Sequence, residues 1–453
     1  MPALIEDIAA HVTAIHYADM PAQDVTAIKR LLLDTLGCAL GAVQCEPARQ
    51  LQPLLRPPAG PHDTATLIGS TDAASLASAI LHNGTLVRYL DFMDVYWARD
   101  ICHPSENIPV AVAAAEAGQC SGRQLIEAIA AAYEVQVRLA DAFSLQDMHM
   151  HHVSAAGFVA PLILGKLSGL TPDQLAHACA LGGFRHLTLA ALVEGKLSMA
   201  KSVGYALPAS ECVLSTRLAA QGFTGPLQAL EGLWRSSGAS HAGDMRAALD
   251  LSPGTASARR VSLKRYPVQF GLQAPIEAAL TLREAFAAAL PDIVSMRVEA
   301  PTKVCRSTAD PAKFTPDNRE TADHSLPCCV ALAWLDGRVD THQFEQARWR
   351  DNDLLALMQR IDVQPAADLE QRWPNGRPAR VTVQMKDGTM RSIEVGVPLG
   401  DASRPMSDDD IAAKFTAQAE PVLGAARTRE VMQCVAALEE LEDVGQLCRL
   451  LRC

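Results

Sequence analysis

Nowhere in the 453 residues do apolar side chains run for the ~18 unbroken positions that a membrane span needs. A basic leader is missing too. The chain starts MPALIEDIAAHV, with Glu6 and Asp7 where a secretory signal carries positive charge, so a cytoplasmic location is expected. The twelve cysteines contain no Cys-x-x-Cys pair and no regular framework. Scattered in this way, with Cys328 and Cys329 adjacent, they read as reduced core thiols rather than disulfides or a zinc site. Positive charge is in deficit, 40 Lys and Arg against 51 Asp and Glu, for a formal charge of −11. That argues against nucleic acid or an anionic membrane as partner. An anionic ligand must then find its basic groups concentrated in one place.

Aromatic residues make up 5% of the chain, while 49% of it is apolar, dominated by Ala and Leu at helical spacing. The length has room for a large core and two domains. Two amphipathic helices are expected between Ile5 and Ala42, a Pro-rich loop from Gln44 to Thr66, and helices over Ser75–Val87, Ile108–Gly118 and Gly122–Ala142. Further helices are expected over Ala155–Leu170, Pro172–Ala191 and Ser202–Gln221. After about Ser262 the pattern changes. Ile293–Ala300 alternates like a half-buried strand, and Ala379–Val397 reads as a hairpin around Asp387-Gly388. Helical stretches lie between them near Ser325–Leu335 and Asp353–Ile361, and helix returns at Asp408–Ala419 and Thr428–Leu451. The predicted fold is mainly α. Residues 1–263 and 398–453 form a large helical domain from both chain ends, and residues 264–397 an inserted α+β lid.

The organising stretch is Leu90 to Asn107, LDFMDVYWARDICHPSEN. It carries Asp91, Asp94 and Asp100, then His103-Pro104-Ser105, with no clear helical or strand period before a helix begins. A His just ahead of a helix start lies near free N–H groups and the positive end of the dipole, which suits a carboxylate ligand and a neutral imidazole. The alternative is a surface turn capped by Asp91 and Asp94 and broken by Pro104. Asn83, in the preceding helix, is expected to reach this loop. In Asp147–Ser154, the residues His149, His151 and His152 lack the spacing of four that helix-borne zinc ligands use, so no metal is expected. A single His aimed into a pocket with solvated neighbours is the better reading. Lys201, in an apolar setting, is either a snorkelling surface residue or a buried cation awaiting an anion.

An ordered set of motifs then narrows the field: Leu32-Leu33-Asp34-Thr35-Leu36-Gly37, Asn83-Gly84-Thr85, His103-Pro104-Ser105, Lys201, Lys264-Arg265-Tyr266-Pro267 and Thr321-Ala322-Asp323-His324-Ser325-Leu326-Pro327. On these the chain resembles the MmgE/PrpD family over nearly its whole length. That family includes 2-methylcitrate dehydratase, cis-aconitate decarboxylase and iminodisuccinate epimerase. The resemblance implies the helical body with an α+β lid, a homodimer, no metal or organic cofactor, and a di- or tricarboxylate substrate bound between the domains. It points to Asp91, His103, His152 and Lys201 as catalytic residues. Asn83, Asp94, Ser105, Lys264, Arg265, Tyr266 and Gln273 are the expected substrate-binding residues.

The chain also departs from the family pattern. Val95 stands where a Thr is usual, and Val268-Gln269-Phe270-Gly271-Leu272-Gln273 lacks the His that many members place after Tyr266-Pro267. Asp323-His324-Ser325 also reads simply as the cap of the next helix. The shared chemistry passes through carbanion character beside a carboxylate. It needs a base near the α-carbon and cations on the carboxylate oxygens. The Asp91–His103 spacing is that of the dehydratase-like members, so a hydro-lyase is expected. The alternatives are an epimerase or decarboxylase on a related polycarboxylate, and a catalytically silent carboxylate binder.

Overall fold

The computed structural model describes residues 2–236, 242–286, 293–373 and 376–453. Helices dominate, and the apolar side chains divide into two main clusters. The first gathers Leu4 through Val261 and then Phe415 through Leu451, so both chain ends build one helical core. The second runs from Tyr266 to Met385. A small third cluster, Val95, Trp97 and Phe270, lies where the two meet. Among the described residues no helix is long and apolar enough to cross a membrane.

The closing of the chain ends depends on glycine. Gly37 lies on the helix Ala22–Gly41, where a Cβ would stand 3.1 Å from the Phe415 ring. The absence of side chains there lets the helix Asp408–Ala436 approach closely. That contact seats Lys414, whose Nζ pairs with Asp34 at 2.6 Å and donates to the carbonyls of Phe92 at 2.7 Å and Lys264 at 2.9 Å. One buried ammonium thus ties the C-terminal helix to two loops of the site.

The second cluster is covered by a four-stranded sheet in the order Ile361–Pro365, Ile293–Ala300, Ala379–Met385, Met390–Val395. The first pair is parallel and the other two antiparallel. The expected strand at Ile293–Ala300 and the expected hairpin are present, with Gly388 supplying φ +84° in the turn.

Several expectations differ from what is found. The helix near Asp353 ends at Met358, and Ile361–Pro365 turns into a strand whose parallel partner is distant in sequence. The expected helix over Pro172–Ala191 stops at Gly183. The helix over Ser202–Gln221 is split into Ala200–Val203 and Ala206–Ala220. The helical body also holds two short strand pairs, Thr64–Thr66 with Ala73–Ser75 and Tyr96–Trp97 with Ile101–Cys102. The second pair pins the far half of the Asp91–His103 loop.

Candidate active site

A cavity of about 150 Å³ opens between the two main clusters. Its walls carry the buried or half-buried Arg88, Asp91, Trp97, His103, His151, His152, Lys264, Phe270 and His324, with the exposed Lys303 and Ser307 at the mouth. The helix Leu76–Tyr89 delivers Arg88 from its last turn. Asp91 follows with φ +51°, a left-handed backbone that non-glycine residues adopt only when their surroundings enforce it. Those surroundings are cationic. Arg88 bonds the carboxylate directly, Lys264 Nζ stands 3.0 Å from Oδ1 and 2.8 Å from the Asp91 carbonyl, and Lys201 Nζ is 3.8 Å from Oδ2. Burial pushes the Asp91 carboxyl up, but Lys201, Lys264 and Arg88 together hold it well below the usual range. It is therefore a fixed anion and a poor base.

His103 has the opposite character. Its Nδ1 donates to the Asp94 carbonyl at 2.6 Å. A carbonyl only accepts, so Nδ1 carries the proton and Nε2 keeps its lone pair. Burial, reinforced by Arg88, Lys264 and His152, keeps the ring neutral. His151 takes the complementary tautomer, because its Nδ1 accepts from the Val153 N–H at 3.4 Å and the proton falls to Nε2. His152 lies between them, its ring centroid 5.2 Å from His103 and 4.0 Å from His151. Burial lowers its pKa to about 3, and neither ring nitrogen finds a hydrogen-bond partner among the described residues.

Three residues that the sequence reading left without a role complete the site. Glu106, one residue past the His103-Pro104-Ser105 motif, is buried 3.4 Å from Arg88 Nε and 3.7 Å from His152 Nε2, and burial raises its pKa to about 7. His324 bonds Asp323 through Nδ1 at 2.5 Å and points Nε2 toward Asp91 at 3.7 Å. Ser325 does cap the helix Leu326–Asp336, accepting from Cys328 N at 3.1 Å, so the helix-cap reading holds for Ser325 while His324 faces the cavity. Arg88 had no motif to mark it. Its signal was only its place one turn before Asp91.

The expected site residues separate into groups. Asp91, His103, His152 and Lys264 line the cavity. Lys201 stands behind the wall, 3.3 Å from Asp323 Oδ1 and 3.5 Å from His324 Nδ1. It is a buried cation, and its anions are already present in the protein. Asp94 and Ser105 serve each other. Asp94 Oδ1 accepts from Ser105 N at 3.1 Å and Oγ at 2.6 Å, while Oδ2 accepts from Tyr133 at 2.7 Å. Asn83 spans Thr66 O and Ile68 N, away from the Asp91 loop. Gln273 accepts from the N–H groups of Arg265 and Tyr266 and donates to the Tyr266 carbonyl, so its amide shapes that turn. Tyr266 packs in the second cluster, and Arg265 is exposed outside the cavity. The expectation of one buried His among solvated neighbours is also corrected: His151 and His152 both line the wall and only His149 is exposed. Val95 joins the Trp97–Phe270 cluster.

Ligand atoms of Asp91, Asp323 and His324 lie within 4.8 Å of one another, a spacing open to a cation. Lys201, Lys264 and Arg88 already supply positive charge at that point, so the donor set is matched by ammonium and guanidinium groups.

The MmgE/PrpD N-terminal domain matches residues 6–244, and the MmgE/PrpD C-terminal domain matches residues 266–440. The 2-methylcitrate dehydratase of Escherichia coli K12 is 25% identical over 394 residues, covering 82% of this chain and 81% of the relative. That of Cupriavidus necator is 26% identical over 423 residues, 88% of this chain and 86% of the relative. Human cis-aconitate decarboxylase is 24% identical over 474 residues, 100% of this chain and 95% of the relative.

Proposed function

This chain belongs to the MmgE/PrpD family, and on that premise we propose that it is a hydro-lyase dehydrating a 2-methylcitrate-like di- or tricarboxylic acid. One observation carries the reading. A neutral imidazole, His103, keeps a free Nε2 lone pair on the wall of a cavity that also carries three cations, Arg88, Lys264 and Lys303, against one carboxylate, Asp91. Arg88 and Lys264 draw a substrate carboxylate into the buried end. There His103 takes the proton from the carbon beside that carboxylate, and the cations stabilise the enolate-like charge on its oxygens. The leaving hydroxyl needs a proton. His151, with hydrogen on Nε2, is the donor that its backbone bond favours, and His152 stands next to it. Asp91 acts as the counter-ion that keeps Lys264, Lys201 and His324 in place, rather than as the base.

The body (1–263 with 398–453) and the lid (264–397) would meet across this cavity. The homodimer belongs to the same proposal. Phe184, Leu187, Leu189, Leu207, Leu214 and Phe223 are exposed on two helices packed on each other and the segments that follow them, apolar side chains that a partner chain would cover. Light scattering at micromolar concentration should give twice the chain mass. A monomer mass would rule the dimer out. Nothing in the proposed mechanism requires a cofactor, and a cytoplasmic location is part of the same proposal.

The test is incubation with 2-methylcitrate and citrate in deuterated water. Appearance of an alkene product is expected. Carbon dioxide release identifies a decarboxylase, deuterium at the α-carbon without alkene an isomerase, and binding without chemistry a silent member.

A further inference from the structure

The cations at the buried end of the cavity are partnered. Arg88 is shared by Asp91 and Glu106, and Lys264 is held by Asp91. Lys303 differs. It lies on the helix Thr302–Thr308, directly after the strand Ile293–Ala300, and so reaches the cavity from the side of the second cluster. It is exposed, and among the described residues no carboxylate pairs with it. Its Nζ is held over the Trp97 ring, 5.2 Å from the centroid, on another cavity-lining residue. Asp100 is the acid that feels Lys303, and its oxygens are already taken by the N–H groups of Ile101 at 2.9 Å and Leu145 at 2.7 Å. Ser307 follows one helical turn later on the same wall. Its hydroxyl donates to the Val304 carbonyl at 3.2 Å, a long bond that a rotating hydroxyl exchanges readily.

We infer that Lys303, with Ser307 beside it, holds the substrate carboxylate that lies farthest from the reacting carbon. This rests on the polycarboxylate reading above and sharpens it. Arg88 and Lys264 take one carboxylate at the buried end, and Lys303 takes another at the mouth. The substrate must therefore carry at least two carboxylates set apart along the cavity. Because the helices that carry Lys303 and Arg88 pack into different clusters, a ligand gripped at both ends also bridges them. Exposure at the mouth makes this contact sensitive to ionic strength, more so than the buried pairs.

Calorimetric titration of the full chain tests the subsite with two probes: citrate, and 2-hydroxyisobutyrate, which keeps one carboxylate and the hydroxyl. Lys303→Met should weaken citrate binding about tenfold, the scale of one charge-assisted hydrogen bond, and Lys303→Glu by more. The dissociation constant for 2-hydroxyisobutyrate should not change, and the unfolding temperatures should match the unaltered protein. Unchanged citrate affinity in Lys303→Glu overturns the subsite. So does an equal loss for both probes. If the unaltered protein binds neither probe, the polycarboxylate reading falls and the subsite with it. Lys303-dependent citrate binding with no turnover of any polycarboxylate sinks the hydro-lyase assignment and leaves the subsite standing.

Discussion

The imidazole of His103 and the backbone carbonyl of Asp94 are joined by a 2.6 Å hydrogen bond that fixes the ring's tautomer. Asp94 is held in turn by Ser105 and Tyr133, so the carbonyl cannot drift. The proposed base is thus set by a peptide group, whereas the nearby Asp91 carboxylate is held by cations.

His103→Ala should therefore lower kcat by roughly two to four orders of magnitude, the usual cost of losing an acid–base group. Circular dichroism and the oligomer mass should be unchanged. Near-normal turnover on the true substrate would falsify the assignment of the base.

Asp91→Asn should be harsher on folding. It leaves Arg88, Lys264 and Lys201 buried around a neutral amide. Breaking a buried ion pair from one side costs about 3–5 kcal/mol. The Lys264 ammonium, already lowered to about 8 by burial, loses the partner that raises it and should titrate lower still. Denaturant unfolding and the pH dependence of ligand binding check the two halves of this prediction.

Glu106 gives a pH dependence of defined sign. Burial raises its pKa to about 7 from the ordinary 4.5, so the folded chain holds a proton that the unfolded chain releases between those values. Its contribution to stability is complete below about pH 4.5 and is lost as pH rises through about 7. The loss is on the order of 3 kcal/mol. Glu106→Gln removes it. Unfolding measured from pH 5 to 8 should show the variant gaining on the unaltered protein as pH rises, and parallel curves would refute the assignment.

Lys201→Met should act through its neighbours. The ammonium sits between Asp323, Asp91 and His324 without reaching the cavity wall. The expected result is lower stability and lower kcat, with KM changed little, because the side chain does not meet the ligand. Lys201→Arg should rescue poorly, since a planar fork does not fit a site built for a point charge. A large KM effect at unchanged kcat would place Lys201 on the substrate after all.

Much of this protein is settled locally and was legible in residue order. Helical periodicity marks the body, alternation marks Ile293–Ala300, and Asp387-Gly388 marks the hairpin, because each depends on neighbours a few positions away. The His103-Pro104-Ser105 stretch could be singled out for the same reason: a loop that breaks period before a helix is visible in one dimension. Which side chains meet the cavity is not a local property. Asp94 and Asp91 lie three residues apart in one loop, yet one is consumed by Ser105 and Tyr133 and the other by three cations from distant segments. Lys201 and Lys264 look alike in sequence, but packing puts one behind the wall and the other on it. Arg88, Glu106 and Lys303 carry no pattern of their own, and the motif around His324 reads equally well as a helix cap. They become part of a site only when two hydrophobic cores close against each other and take the water away. The same burial that brings these groups together shifts their proton affinities, so the tertiary structure decides both where the groups stand and which of them is an acid, a base or a fixed charge.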